Sequence, residues 1–285
     1  MCNTSYGRLA SLTGLRQQCG RYGRDWSKPL CWLLVFAIWQ LASAPAQALT
    51  IYVKVLVDEE ERAVDLLWKQ RLTNRINAAS DIINQYCAIR FAVAELGTWD
   101  SDDNVNDLNR SLREFEQEVD PHPGQLAIGF SSQFKFRKGR NGLGGTRGPL
   151  HTHILLRESS TSIREPERLE ALVHELGHFL GAAHSSSRTS AMRPVIGDGQ
   201  ARAKAFRIGF DPINAKIVQL VGSEVSVLGV RRFRNLSEVT KRRIRDGYVR
   251  LAKELPEDPA APHFIRYIDR SMPPAGKAGA VNVPR

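Results

Sequence analysis

Three of the seven histidines in this 285-residue chain fall within the eleven residues His174-Glu-Leu-Gly-His178-Phe-Leu-Gly181-Ala-Ala-His184, and that spacing restricts the local fold severely. Residues four apart on an α-helix project from one face, about 6 Å apart along the axis. His174 and His178 therefore suit one helix and one shared ligand. The flanking sequence supplies that helix: Leu169, Leu172, Val173, Leu176 and Leu180 form an apolar side, and Glu165-Pro166-Glu167 suits a first turn, where proline fits and carboxylates oppose the dipole. The pattern predicts a helix over 167–180. Gly181 comes three residues after His178, where a left-handed residue can end a helix and turn the chain sharply. His184 then falls where the redirected chain can reach the same point.

Three neutral imidazoles suit one zinc ion at about 2.0–2.1 Å and keep a fourth tetrahedral position open for water, the pattern of a catalytic site and not of a closed structural one. His174, His178 and His184 are the candidate metal ligands. Glu175 need not bind the metal. Its carboxylate can take a proton from the zinc-bound water, whose pKa zinc lowers to about 7, and later pass it to a leaving amine. With so few histidines in the chain, three at fixed places arise by chance with a per-start probability on the order of 10⁻⁵, and a structural zinc site would have no use for Glu175.

The 174–184 segment resembles the signature of the metzincin zinc metallopeptidases, which also carry a methionine turn below the metal. Ser190-Ala-Met-Arg-Pro194 is similar to that turn and implies Met192 as an apolar floor under the histidines. Ser185 directly after the third histidine, and Met192 eight residues past it, look most like the matrixin group. Asp211 to Gly222 is similar to the closing helix of a matrixin catalytic domain. Pro194 stands where other metzincins have a tyrosine near the metal, so no tyrosine ligand is implied. The likeness is closest over 174–194, looser to 222, and a matter of element order alone from 49 to 173. No cysteine-switch segment follows Ala48, and the calcium and structural-zinc segments of animal matrixins are not recognisable, so calcium is allowed but not indicated.

The N-terminus reads differently from the rest. Five basic residues (Arg8, Arg16, Arg21, Arg24, Lys28) precede an uncharged apolar run from Leu30 to Leu41, and small residues end at Ala46-Gln-Ala48. A basic region, about a dozen apolar residues and an A-x-A ending describe a secretory signal peptide with cleavage after Ala48; the run is shorter than the roughly 20 residues a bilayer span needs. Export to a secreted or periplasmic location is expected. Cleavage would leave 35 basic against 29 acidic residues, a net charge of +6 instead of +10. It would also remove three of the four cysteines, leaving Cys87 with no disulfide partner and a buried apolar role.

Thr50–Val57 alternates and is rich in β-branched residues, so it reads as a strand. A helix is expected over 59–86 from Val64, Leu67, Leu72, Ile76, Ala79 and Ile83, then a strand over 88–96, an acidic loop over 100–107 and a short helix over 108–119. Gln125–Phe130 and His153–Leu156 are strand candidates. The Gly- and Arg-rich stretch 138–148 lacks the ending of a phosphate-binding loop and reads as a flexible surface loop beside a cleft. His151 and His153 could join His122 around a second metal, or could sit on or beside an edge strand where an extended peptide adds by backbone pairing. The fold class expected is α/β (α+β): a metzincin-like catalytic domain over 49–222, with a mixed twisted sheet, an active-site helix and a methionine turn.

Residues 223–285 read as a basic helical extension. Nine Lys/Arg lie in 231–253, with Leu236, Val239, Ile244, Tyr248 and Leu251 near helical spacing. Such a helix could touch an anionic surface, or could pack its apolar side on the catalytic domain and leave the cations solvated. Pro273-Pro274 and the residues after them read as a loose tail. The function expected is a secreted zinc endopeptidase acting on peptide or protein substrates as a monomer, with one catalytic zinc and no specific nucleic acid. The alternatives are a basic protein that holds zinc without turnover, and a zinc amidase acting on a non-protein substrate. Arg193, Arg202, Lys204 and Arg207 could favour acidic side chains in the pocket after the cut bond, or could be ordinary loop charges.

Overall fold

A computed structural model describes residues 48–272, apart from 62, 106, 132, 134–142 and 159–161. The expected signal segment, except Ala48, and the tail beyond Met272 lie outside the described residues. β1 (Leu49–Asp58), α1 (Asp65–Asn84), β2 (Ile89–Trp99), α2 (Leu108–Glu118), β3 (Leu126–Ser131), β4 (Gly144–Thr146) and β5 (His153–Arg157) come first. They are followed by α3 (Glu165–Phe179), α4 (Pro212–Leu228), α5 (Glu238–Glu254) and α6 (Ala260–Ser271).

The sheet has the order β2-β1-β3-β5-β4. β1 pairs parallel with β2 and β3, and β3 parallel with β5; β4 runs antiparallel on β5 and closes that side of the sheet as a short edge. The period-2 alternation of the strands sorts the core into two layers. Ile51, Val53, Val55 and Val57 of β1, with Leu126, Ile128 and Phe130 of β3, face the large cluster, which takes in Trp68, Leu72, Ile76 and Ile83 of α1 and Leu172, Val173 and Leu176 of α3. Leu56, Ala127 and Leu155 face the other way, against Leu112 and Phe115 of α2. Central β3 is buried along its whole length, as expected for a parallel strand covered on both faces. The α/β class with a mixed sheet and an active-site helix is therefore the one observed.

Several boundaries differ from the sequence reading. Residues 59–64 form a turn and the first long helix begins at Asp65. Gly144–Thr146, expected as loop, is the edge strand; Gly-Gly-Thr carries no strand propensity of its own, and pairing with β5 supplies it. Residues 138–142 of that expected loop lie outside the described ones. Gly222, where the catalytic domain was expected to end, is inside α4, which runs on to Leu228, and the described residues fall in one compact unit.

The apolar stripe of the extension packs inward. Ile244, Tyr248 and Leu251 of α5, with Phe264 and Ile268 of α6, belong to the same large cluster as the sheet. Val239, expected in that stripe, is exposed. Gly247 is explained by closeness: a β-carbon there would stand 3.2 Å from Ile217 of α4, so the small residue lets two helices approach. Cys87 is buried, and burial pushes its thiol up to about 12. Among the described residues no helix is long and apolar enough to cross a membrane.

Candidate metal centre

α3 begins where the sequence predicts, with Pro166 in its first turn and Glu167 accepting the Arg164 N–H at 2.9 Å. Its start is anchored by charge. Arg75 of α1 spans Glu158, at 2.8 and 2.9 Å, and Glu165, at 2.6 and 2.7 Å. Burial alone would raise the Glu158 carboxyl; the hydrogen bonds and charge of Arg75, with Arg168 and Arg71, hold it below its ordinary value. At the other end Gly181 adopts φ of +89°, and the Ala182 N–H returns to the Gly177 carbonyl at 2.8 Å. This is the reversal the spacing demanded.

The turn carries His184 back to the helix. Ligand-capable nitrogens of His174, His178 and His184 lie within 4.8 Å of one another, and the Nε2 atoms of His174 and His178 are 3.0 Å apart. Each ring's Nδ1 faces an acceptor: Ala191 O at 2.7 Å for His174, Ala182 O at 2.8 Å for His178, and Asp258 Oδ2 at 2.7 Å for His184. A carbonyl or carboxylate accepts only from N–H, so each Nδ1 holds a proton, and a neutral ring with its proton there presents a lone pair at Nε2. Burial lowers His174 well below its ordinary value and His178 to about 4, which keeps both neutral. Convergent lone pairs with no proton between them repel one another unless a cation sits among them. This donor set fits a zinc ion, whose histidine ligands hold their second nitrogen to such acceptors.

The segment after His184 is pinned beneath the helix. The Ser185 N–H donates to Met192 O at 2.8 Å and the Ala191 N–H to Gly209 O at 2.7 Å. Ser190 Oγ donates to Asp211 Oδ2 at 2.9 Å. Asp211 caps α4 through the amides of Ile213 and Asn214. Met192 is fully buried, against Gly177 of α3. Asn214 grips Ala183 at both its N–H and its carbonyl, at 2.9 and 2.8 Å, next to the third histidine.

Glu175 is 4% exposed, and its Oε2 has no hydrogen-bond partner. Burial pushes the carboxyl up to about 8. β4 passes over it: a β-carbon on Gly144 would come 3.0 Å from Glu175 Cγ. A buried carboxyl oxygen without a partner, one residue after His174, is costly to maintain in a purely structural role.

Other sequence expectations resolve differently. Arg193 is buried and paired with Glu170 and with Asp198, and Arg202 donates to Glu167 at 2.6 Å. Both are held by carboxylates, Arg193 in the interior and Arg202 at the surface, which argues against them as selectors of acidic side chains; Lys204 and Arg207 are exposed. His153 lies on β5, beside the edge strand, with Nε2 on Val119 O at 2.8 Å and Nδ1 on Thr152 Oγ1 at 3.1 Å, so neither ring nitrogen is directed at His122 or His151. The site contacts of Asn214 and Asp258 were not found from sequence, since nothing local marks them, and Tyr248 was read there only as part of an apolar stripe. Glu59, Glu60 and Asp103 also bring carboxylate oxygens within 4.8 Å of one another on an exposed surface.

A reprolysin-type family model, described as "Metallo-peptidase family M12", matches residues 50–203, more than half of the 285 residues and inclusive of all three histidines, Glu175 and Met192. The chain belongs to metallopeptidase family M12. The family implies zinc as cofactor and peptides or proteins as substrates, and the three-histidine group is compatible with zinc. Among solved structures, this M12 member is similar to archaemetzincin from Methanopyrus kandleri, at 14% identity and TM-score 0.45, covering 63% of this chain and 98% of that one. It is similar at 13% identity and TM-score 0.41 to a chain in a structure titled "Structure of a chaperone-substrate complex", covering 64% of this chain. It spans about a third of that second chain's length, 35%. No curated protein matches.

Proposed function

We propose that this M12 metallopeptidase is an exported zinc-dependent endopeptidase in which His174, His178 and His184 hold the ion and Glu175 is the general base. The observation that carries this reading is the convergence of three histidines, each with Nδ1 on an acceptor, together with the buried Glu175 next to His174 in the chain, whose Oε2 has no partner. Bound there, zinc supplies Lewis acidity to a water and to the scissile carbonyl. Glu175 Oε2, with no competing donor, takes the proton from the attacking water and returns it to the leaving amine. β4 at the sheet edge offers backbone groups on which an extended substrate can pair.

Export rests on the 1–48 pattern. The matrixin likeness rests on Ser185 and on the eight-residue step from His184 to Met192. Contact of residues 231–253 with an anionic surface rests on their exposed arginines.

The test is zinc analysis together with digestion of casein or a peptide library by the wild type and by Glu175→Ala. The expected result is one zinc per chain in both, with cleavage by the wild type alone. Equal cleavage by both proteins ends the assignment of Glu175. Zinc without peptide cleavage moves the reading to a zinc-holding binding protein or to an amidase for non-protein substrates, which mass spectrometry of products separates.

A further inference from the structure

The third ligand candidate is gripped from outside the stretch that the family model matches. His184 Nδ1 lies 2.7 Å from Asp258 Oδ2, across 74 residues of sequence. Asp258 sits in the turn between α5 and α6, and its other oxygen accepts the Ala260 N–H at 2.9 Å, so the carboxylate is oriented at both ends. Two neighbouring contacts join the same segments. Ser186 Oγ donates to Glu254 Oε2 at 3.1 Å, and the buried Tyr248 hydroxyl donates to the Gly181 carbonyl. Residues 181–186 are thus held at three points by residues 248–258.

His184 also differs from its two companions in what it leans on. His174 and His178 donate to backbone carbonyls, whereas His184 donates to a carboxylate. A carboxylate on the far nitrogen fixes the tautomer, sets the ring plane and raises the donor strength of the near nitrogen. The turn leading into α6 uses only Oδ1 of Asp258; Oδ2 is spent on the histidine.

We infer that Asp258 is a positioning residue of the metal centre: its carboxylate holds His184 with Nε2 turned toward the ion and strengthens that nitrogen as a ligand. The two terminal helices are, on this account, part of the centre and not an appendage. The inference rests on the metal reading given under Proposed function.

The test is Zn²⁺ affinity, measured on the full chain by competition with a chromophoric chelator, for the wild type, Asp258→Ala, Asp258→Asn, His184→Ala and Asp269→Asn. Asp269 pairs with Arg245 on the exposed side of α5 and α6, so its variant reports general disturbance of the extension. Asp258→Ala is expected to weaken zinc binding by about 10–100-fold, and Asp258→Asn by less, because the one amide oxygen can still accept from His184 while the contact to the Ala260 N–H is given up. Asp269→Asn is expected to bind as the wild type does, and the metal-free melting points of the wild type and Asp258→Asn are expected to coincide. Both Asp258 variants binding zinc within about twofold of the wild type, while His184→Ala loses it, overturns the role of Asp258 alone. His184→Ala binding zinc as the wild type does overturns the metal reading as well. Should Asp258→Ala not fold, Asp258→Asn decides, and unchanged affinity there overturns the inference.

Discussion

Gly177 stands directly over Met192: a β-carbon on Gly177 would lie 2.6 Å from the Met192 Sδ and 2.8 Å from Phe210 Cε1. The helix bearing two of the three histidines therefore rests on the methionine turn with no room for one methyl group. Gly177→Ala is expected to destabilise the protein by about 1–3 kcal/mol through overpacking, and to weaken zinc binding by lifting α3 away from Ala191, the acceptor of His174. Denaturant unfolding and zinc titration of the variant check this. An unchanged midpoint and affinity would show that the turn gives way freely.

Arg75 is the cation on which the start of α3 depends. Its guanidinium is buried between Glu158 and Glu165, and Arg75→Ala leaves Glu158 desolvated without its main partner. A loss of about 3–5 kcal/mol is expected, the size seen when one partner of a buried pair is removed. Arg75→Met with Glu158→Leu is expected to recover part of it, since the desolvated carboxylate goes with its main partner while Arg168 and Arg71 lose a contact. Urea unfolding of the single and double variants tests the pair.

Removal of zinc is expected to lower the melting temperature and to abolish cleavage together. A ligand held by the folded state alone at a hundred times its dissociation constant adds about 2.7 kcal/mol. Thermal unfolding with and without a chelator, in the wild type and in His184→Ala, reads this contribution. The variant should show no chelator effect.

Glu60 gives the protein an alkaline weakness. Burial is the largest cause that raises its carboxyl to about 7, with Asp103, Asp58 and Glu59 adding to it and the Gln133 hydrogen bond opposing. A group whose folded value lies above its unfolded one stabilises below the unfolded value, and that stabilisation is lost as pH rises through about 7. Glu60→Gln is therefore expected to melt higher than the wild type at pH 8, with the gap narrowing toward pH 5. A gap independent of pH would exclude ionisation of Glu60 as its cause.

The parts legible in the sequence are those written in local periodicity. The helix carrying His174 and His178, the left-handed Gly181, the alternating strand β1 and the apolar strands β3 and β5 follow from spacing and side-chain type within a few residues. β4 escaped because Gly144-Gly145-Thr146 is a strand only by virtue of its neighbour β5. The burial of Arg193 escaped because an arginine in a loop reads as solvated until Glu170 and Asp198 are seen around it. Asp258 escaped for the same reason at greater range: its partner is set by the docking of α5 and α6, which no window along the chain contains.

The 74 residues of sequence between His184 and Asp258 also tie the metal centre to the seating of α5 and α6. A change that shifts those helices would be felt at the third imidazole, so zinc affinity gauges how well that distant packing is made.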